Sequence, residues 1–226
     1  MQFEFFDPQA EYAVHERRLP HWEQAGATYF ITFRAADSMP RDVVDRWIAE
    51  RDDWLRRNGI DPRAADWKWK LELLRAPQRQ EYHEQLLEKW ESKLDNCHGE
   101  CLLRQPELAD IVGTSLRHFD GERYRLGDFV VMPNHCHLLV GFPDYGQLLR
   151  QSRSWKKYTA TKINQRIGRR GEFWQVDGFD HLVRNPDAFD YYRRYIADNP
   201  RRANLREGEY LYYRADCSGV DRKSVV

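Results

Sequence analysis

His135 and His137 are the residues from which chemistry is most readily built. They sit in the stretch Tyr124 to Phe142, YRLGDFVVMPNHCHLLVGF, where two apolar runs flank a Met-Pro-Asn-His-Cys-His core. Leu138, Leu139 and Val140 follow without a break, so His135 to Gly141 reads as a buried strand. Side chains alternate faces along a strand, which sends His135 and His137 one way and Cys136 the other. Two imidazoles about 7 Å apart on one face of a rigid strand can grip a single metal ion. Pro133 withdraws a ladder donor and turns the chain just before the pair. The plainer alternative is a pair of satisfied histidines on a half-buried strand.

A phenol and a carboxamide stand together further on. In the helix expected from Pro186 to about Asn199, Tyr195 and Asn199 are four residues apart, one above the other on one face. An amide oxygen there can ligate a metal while the phenol addresses a phosphate bound to it, and Pro200 is expected to end the helix. Of the twelve tyrosines, Tyr158 competes: it lies on a helix beside Lys156 and Lys157, but four residues on stands Lys162, which cannot ligate. The plainer reading of Tyr195 is a core aromatic packed with Phe189 and Tyr192.

Cationic side chains concentrate in one region. Arg150, Arg153, Lys156, Lys157, Lys162, Arg166, Arg169 and Arg170 lie between Tyr145 and Arg170 with no Asp or Glu among them. Such a stretch, expected to lie beside the metal site, forms a track for phosphates, and Trp155 and Tyr158, interleaved with it, could stack on bases. Arg201, Arg202 and Arg206 extend the patch beyond Asn199. A solvated helix face is the bland alternative.

Hydrophobic-Met-Pro-Asn-His-x-His-hydrophobic resembles the His-hydrophobic-His motif of the HUH single-strand endonucleases, and within them the REP-associated tyrosine transposases. GEFWQ (Gly171 to Gln175), FDHLVRNPDAF (Phe179 to Phe189), YIADNPRRANL (Tyr195 to Leu205) and the first-strand segment YFITFRAADSMP (Tyr29 to Pro40) are similar to that branch in the same order. The likeness covers roughly 26–40 and 100–205; Cys136 departs from the larger apolar residue usual between the histidines. The resemblance implies that Tyr195 is a nucleophile forming a covalent phosphotyrosine. It also implies that His135, His137 and Asn199 hold Mg²⁺ or Mn²⁺. Two imidazoles alone would equally suit Zn²⁺. The DNA-binding residues are then Arg150, Arg153, Trp155, Lys156, Lys157, Tyr158, Lys162, Arg166, Arg169, Arg170, Arg201 and Arg202. The implied partner is single-stranded or hairpin DNA carrying a palindromic repeat with a short flanking guide, bound by a monomer. Trp174, Gln175 and His181 receive no chemical role from spacing.

These residues must be held by a small set of elements. Thr28 to Arg34 is alternating, β-branched and aromatic, hence a strand. Asp37 to Pro40 starts a helix with Val44, Trp47, Ile48, Arg51 and Leu55 on one face, stopped at Asn58-Gly59. Pro77 opens another, with Tyr82, Leu86, Trp90 and Leu94 four apart. Trp67 and Trp69 fall in a charged stretch that periodicity does not place. Cys97 to Leu103 is expected to return to the sheet as a short strand. Pro106 begins a helix through Phe119, Tyr124 to Met132 is a strand paired with that of the histidines, Tyr145 to Ile167 is helical, and Phe179 to Val183 is a strand. Helices between sequentially paired strands indicate an α+β fold. The resemblance sharpens it to a ferredoxin-like central antiparallel sheet with helices packed mainly on one face. The chain reads as a single HUH-type domain over 1–226 with a helical insertion over about 41–98.

Composition narrows the function classes. Formal net charge is zero, so attraction to nucleic acid must be local. No apolar run reaches the roughly 18 residues of a membrane span, and the N-terminus has no signal-peptide pattern. Of the four cysteines only Cys97 and Cys101 are close, so neither a zinc site nor a disulfide framework is indicated, and a reduced cytoplasmic compartment follows. The expected activity is metal-dependent single-strand DNA cleavage and strand transfer at REP-like hairpins. The rivals are a regulator that binds hairpins without cutting them and a hydrolase of small phosphoesters.

Overall fold

The computed structural model describes residues 3–7, 9–15, 21–64, 66–95, 97–176 and 179–216. Two short strands, β1 (Ala13–His15) and β2 (His21–Glu23), pair with each other. β3 (Thr28–Arg34) follows, then α1 (Arg41–Arg57), α2 (Trp67–Leu73), α3 (Ala76–Tyr82), a π turn at His83–Leu87 and α4 (Glu88–Asp95). After a 3₁₀ turn at Leu102–Arg104 come α5 (Pro106–Arg117), β4 (Arg125–Val131), β5 (His135–Gly141), α6 (Gln147–Ile167), β6 (Phe179–Leu182), α7 (Pro186–Arg202) and β7 (Leu211–Tyr213). The architecture is α+β: a five-stranded antiparallel sheet in the order β6-β3-β5-β4-β7. β5 is its central strand and is buried along its whole length, as an uninterrupted apolar run requires.

Alternation divides the sheet into two faces. Tyr29, Ile31 and Phe33 of β3 and Cys136, Leu138 and Val140 of β5 face one way, packed with Leu108, Val112 and Leu116 of α5 and Trp155 and Ile163 of α6. Phe30, Val130, Met132 and Leu139 face the other way, against Phe189, Tyr195 and Ile196 of α7. Two helices thus cover one face and α7 covers the opposite one.

Two local expectations are corrected and one unplaced stretch is located. Cys97 to Leu103 is not a strand: Cys97, Gly99 and Cys101 all have positive φ (49°, 89° and 52°), which no extended segment tolerates. Pro200 does not end α7. It lacks only its own N–H, and Ala203 N–H still donates to Asn199 O at 3.0 Å, so the helix runs on to Arg202. Trp67 and Trp69, unplaced by periodicity, lie in α2.

Clustering of contacts divides the chain into two compact units, Met1–Ala36 with Cys101–Val226, and Asp37–Glu100. The second has apolar clusters of its own. Trp54, Leu55, Ile60, Trp67, Leu71, Tyr82 and Leu86 form one, and Met39, Trp47, Trp90 and Leu94 the other. Arg51 lies between the rings of Trp47 and Trp67, at 5.4 and 5.5 Å from their centroids, and its guanidinium contacts Asp52 at 2.6 Å.

β4 carries a bulge. Leu126 opposes Val140 and Phe129 opposes Leu138, so three steps on β4 match two on β5. The spare residue lets Asp128 face α7. Gly127 is needed there for space, since a Cβ would come within 2.8 Å of Leu139 Cβ and 3.2 Å of its carbonyl oxygen. Gly127→Ala is therefore expected to destabilise the protein by about 1–3 kcal/mol, read as a lower midpoint in urea unfolding; an unchanged midpoint would mean that the strand has room to shift.

Candidate active site

The turn between β4 and β5 builds the first part of the site. Met132 N–H donates to His135 O at 2.8 Å, closing the chain around Pro133 and Asn134, and Ala35 N–H donates to Asn134 O at 2.8 Å. This fixes Asn134, fully buried, with its Oδ1 2.7 Å from His135 Nδ1. An amide oxygen only accepts, so His135 carries its proton on Nδ1 and leaves the lone pair on Nε2. Across the ladder Thr32 is the register partner of His137, and its Oγ1 lies 2.8 Å from His137 Nδ1. Both imidazoles are thus held at Nδ1, their ring centroids 4.7 Å apart and edge to face.

α7 supplies the rest. The ring of Tyr195 meets that of His137 edge-on, centroids 5.2 Å apart, and Phe30 stacks on His137 at 5.3 Å while touching Tyr195 at 5.8 Å. Asn199 is fully buried and its amide acts directly on the His135 imidazole. Arg202, exposed at the end of α7, places its guanidinium carbon 5.2 Å from the Tyr195 ring centroid. Residues about 60 apart in sequence therefore converge: His135, His137, Tyr195 and Asn199 form one cluster where α7 packs on β5.

Burial sets the electrostatics. Desolvation, helped by the positive charge of Arg34 and opposed by Asn199, holds His135 down at about 3. Desolvation also lowers His137 well below the ordinary value, with His135 and Arg202 adding to the effect. Both rings are neutral at physiological pH, the form in which imidazole binds a metal.

A divalent cation fits this donor set. Nε2 of His137 and both amide atoms of Asn199 are buried with no hydrogen-bond partner among the described residues, which is costly unless a ligand satisfies them. Anchoring each Nδ1 with an oxygen is how a protein orients metal-binding histidines. Among the described residues no three His, Cys, Asp or Glu side chains gather around one point, so the third ligand would come from the Asn199 amide.

The basic stretch is placed differently from expectation. It lies on α6, whose apolar stripe packs on the sheet face opposite to the histidines, so those charges do not adjoin the cluster. Trp155 is 3% exposed and packs on Tyr124, at 4.9 Å, and Phe33. It belongs to the stripe Leu148, Gln151, Trp155, Thr159 and Ile163, and a ring on that stripe is core and cannot stack on bases. Lys156 is engaged as well: its Nζ donates to the carbonyls of Gln175 and Val176, at 2.8 Å each. Arg150, Arg153, Lys157, Lys162, Arg166, Arg169 and Arg170 are exposed, as are Arg201 and Arg202, and Tyr158 is 52% exposed. Trp174 acquires a structural role, donating through Nε1 to Thr159 Oγ1 at 2.8 Å. His181 faces the ring of Tyr192 at 6.5 Å.

Thr32 and Asn134 were not legible as partners of the histidines. The Pro-Asn ahead of His135 was a signal for Asn134; Thr32 lies 105 residues away from His137 and only the strand register joins them.

No family model and no curated protein matches the chain. Among solved structures, a match is found to a REP-associated tyrosine transposase bound to a REP hairpin, with 13% identity and a TM-score of 0.36 over 88% of this chain and 93% of that one. Likeness at that level carries no weight for the chemistry. Among the described residues, no helix is long and apolar enough to cross a membrane.

The neutral, buried histidines give stability a definite pH dependence. Unfolded, each titrates near 6.5; folded, His135 titrates at about 3 and His137 well below its ordinary value. Above pH 7 neither state binds the protons, and no stability is lost. As pH falls below the unfolded value, the unfolded chain takes up protons that the folded one refuses. Stability then drops by up to about 1.4 kcal/mol per pH unit for each histidine. Urea midpoints of the metal-free protein should fall from pH 7 to pH 5, and His135→Gln should flatten that slope; a slope indifferent to the substitution would mean that His135 is protonated in the fold.

Proposed function

We propose that this protein cleaves and rejoins single-stranded DNA at hairpin-bearing repeats through a phosphotyrosine on Tyr195, using Mg²⁺ or Mn²⁺ held by His135, His137 and Asn199. The observation that carries the reading is the convergence of a phenol, two neutral imidazoles each anchored at Nδ1 and a carboxamide in one buried cluster. A purely structural histidine pair has no need of two anchored Nδ1 atoms and a buried carboxamide set against them.

The chain's residues divide the work. Asn134 and Thr32 hold the imidazoles with Nε2 toward the ligand space. Asn199, one helical turn from Tyr195, presents its amide to the same space, so nucleophile and ligand share one rigid helix face. A bound divalent ion supplies Lewis-acid polarisation and orientation of the scissile phosphate. Tyr195 Oη, buried here, forms the new P–O bond, its proton passes to a water admitted with the DNA, and the P–O bond to the departing deoxyribose oxygen breaks as that oxygen takes a proton. The ester conserves the bond energy, so a hydroxyl of another DNA end can reverse the step and join strands. Arg202, exposed beside the Tyr195 ring, lies where it can meet a phosphate. The exposed cations of α6 lie on the opposite sheet face and would bind DNA remote from the reacting bond.

Tyr195→Phe keeps the ring and its packing against His137 and Phe30. It should fold and bind hairpin DNA but form no covalent adduct, whereas Tyr158→Phe should still form one. Incubation with hairpin-bearing single strands and Mn²⁺, followed by denaturing electrophoresis and mapping of the modified peptide, checks this. DNA attached at Tyr158, or an adduct persisting in Tyr195→Phe, defeats the assignment. Binding without any adduct in the unsubstituted protein favours a regulator that does not cut.

A further inference from the structure

We infer that Asp128 and Arg193 are a positioning pair that fixes the roll of α7 about its own axis, and with it the aim of Tyr195 and Asn199; the inference rests on the reading of the cluster given above. Asp128 is 2% exposed and occupies the bulge of β4. Arg193 reaches it with two nitrogens, Nε to Oδ2 at 3.0 Å and Nη2 to Oδ1 at 3.3 Å, and Ala215 N–H donates to Oδ1 at 2.9 Å. The carboxylate therefore joins α7, β4 and the segment after β7 through one group.

The position of Arg193 on the helix gives the pair its leverage. At about 100° per residue, Asn199 lies about 40° around α7 from Tyr195, while Arg193 lies about 160° around on the same side. Phe189, Ile196 and Pro200, all buried, fill the arc between. The site residues thus form one flank of the buried arc and Arg193 the other. The apolar middle packs against Phe30, Val130 and Leu139, and such contacts are non-directional, so they resist separation of helix and sheet far more than rotation. A two-pronged guanidinium–carboxylate contact is directional and does resist rotation. Side-chain atoms lie about 6 Å from a helix axis, so a roll of about 10° displaces them by about 1 Å, an error that can cost about 10²-fold in rate.

The bulge is the device that makes this contact. In a regular strand Asp128, two residues after Leu126, would share its face; the extra residue keeps Leu126 and Phe129 on one face and turns Asp128 to the other, toward Arg193. Arg193 is two residues before Tyr195 on α7, so an effect of its contact with Asp128 reaches the phenol through the helix that carries both.

Arg193→Lys keeps the charge and loses the two-pronged geometry; Asp128→Asn keeps the shape and loses the charge. Both would be compared with the unsubstituted protein at a temperature where all remain folded by circular dichroism. Three quantities are read: Mn²⁺ affinity of the DNA-free protein by calorimetry, hairpin-DNA affinity, and the single-turnover rate of adduct formation. The expected result is Mn²⁺ binding weakened by about tenfold or more, adduct formation slowed by about 10–100-fold, and hairpin affinity within about twofold. Guanidinium ion at millimolar concentration should restore part of the rate in Arg193→Ala. Mn²⁺ affinity and rate per folded molecule both unchanged, with only the melting temperature lowered, overturn the inference and leave the pair a structural one. Should the unsubstituted protein form no adduct while Mn²⁺ binding still falls in both variants, the positioning role stands and the cleavage reading fails. Should either variant fail to fold, the other decides.

Discussion

The register of β5 between β3 and β4 is the constraint on which the rest depends. A strand has a period of two, so a slip of one residue would carry His135 and His137 to the face occupied by α5 and α6 and bring Cys136 to α7. The apolar residues on both faces of β5 hold it in place, since Leu138 and Val140 pack one way and Leu139 the other. The same register sets Thr32 opposite His137 and Arg34 opposite His135. One set of backbone hydrogen bonds thereby decides the burial and the charge state of both imidazoles.

The cost of this arrangement is visible in its polar groups. Four of the fully or nearly fully buried side chains in the cluster, Asn134, His135, His137 and Asn199, are polar. Burial without a partner typically costs about 1–3 kcal/mol per group in proteins. Two of the Nδ1 atoms are satisfied internally, and the opposing atoms are not all satisfied. A fold that keeps such a cluster while packing Phe30, Phe189 and Ile196 tightly around it has concentrated its unsatisfied polarity at one place. This is the usual signature of a site where a ligand completes the set.

Much of the fold was legible because its signals are local. Thr28 to Arg34 and His135 to Gly141 declare themselves by alternation and by an unbroken apolar run, and their ends agree with the strands found. The stripes of α1 and α5 follow from i, i+4 spacing in the same way. β1, β2 and β7, of three residues each, are too short to carry a period. The bulge at Gly127-Asp128 and the contact of Asp128 with Arg193 join positions 65 apart and leave no trace in either local sequence. Within the cluster, the two spacings were readable separately, His-x-His and Tyr-x-x-x-Asn, but their meeting is a property of topology. For α6, periodicity shows which of its sides is apolar; it does not show which face of the sheet receives it. That is why Trp155 was read with the cations although it stands on the apolar stripe, and why the cations were placed beside the histidines.

Pro200 has a mechanical consequence. The absent N–H removes one rung between residue 200 and Ile196, so the helix is a continuous cylinder in shape but is interrupted in its hydrogen-bond ladder. Tyr195 stands before the gap, and Arg202 and the helix end stand after it. Cooperativity along a helix is carried rung by rung, so the turns on either side of Pro200 are coupled less tightly than in an unbroken ladder. Ala203 and Leu205, packed on the apolar cluster beneath, hold the end of α7 where the missing rung does not.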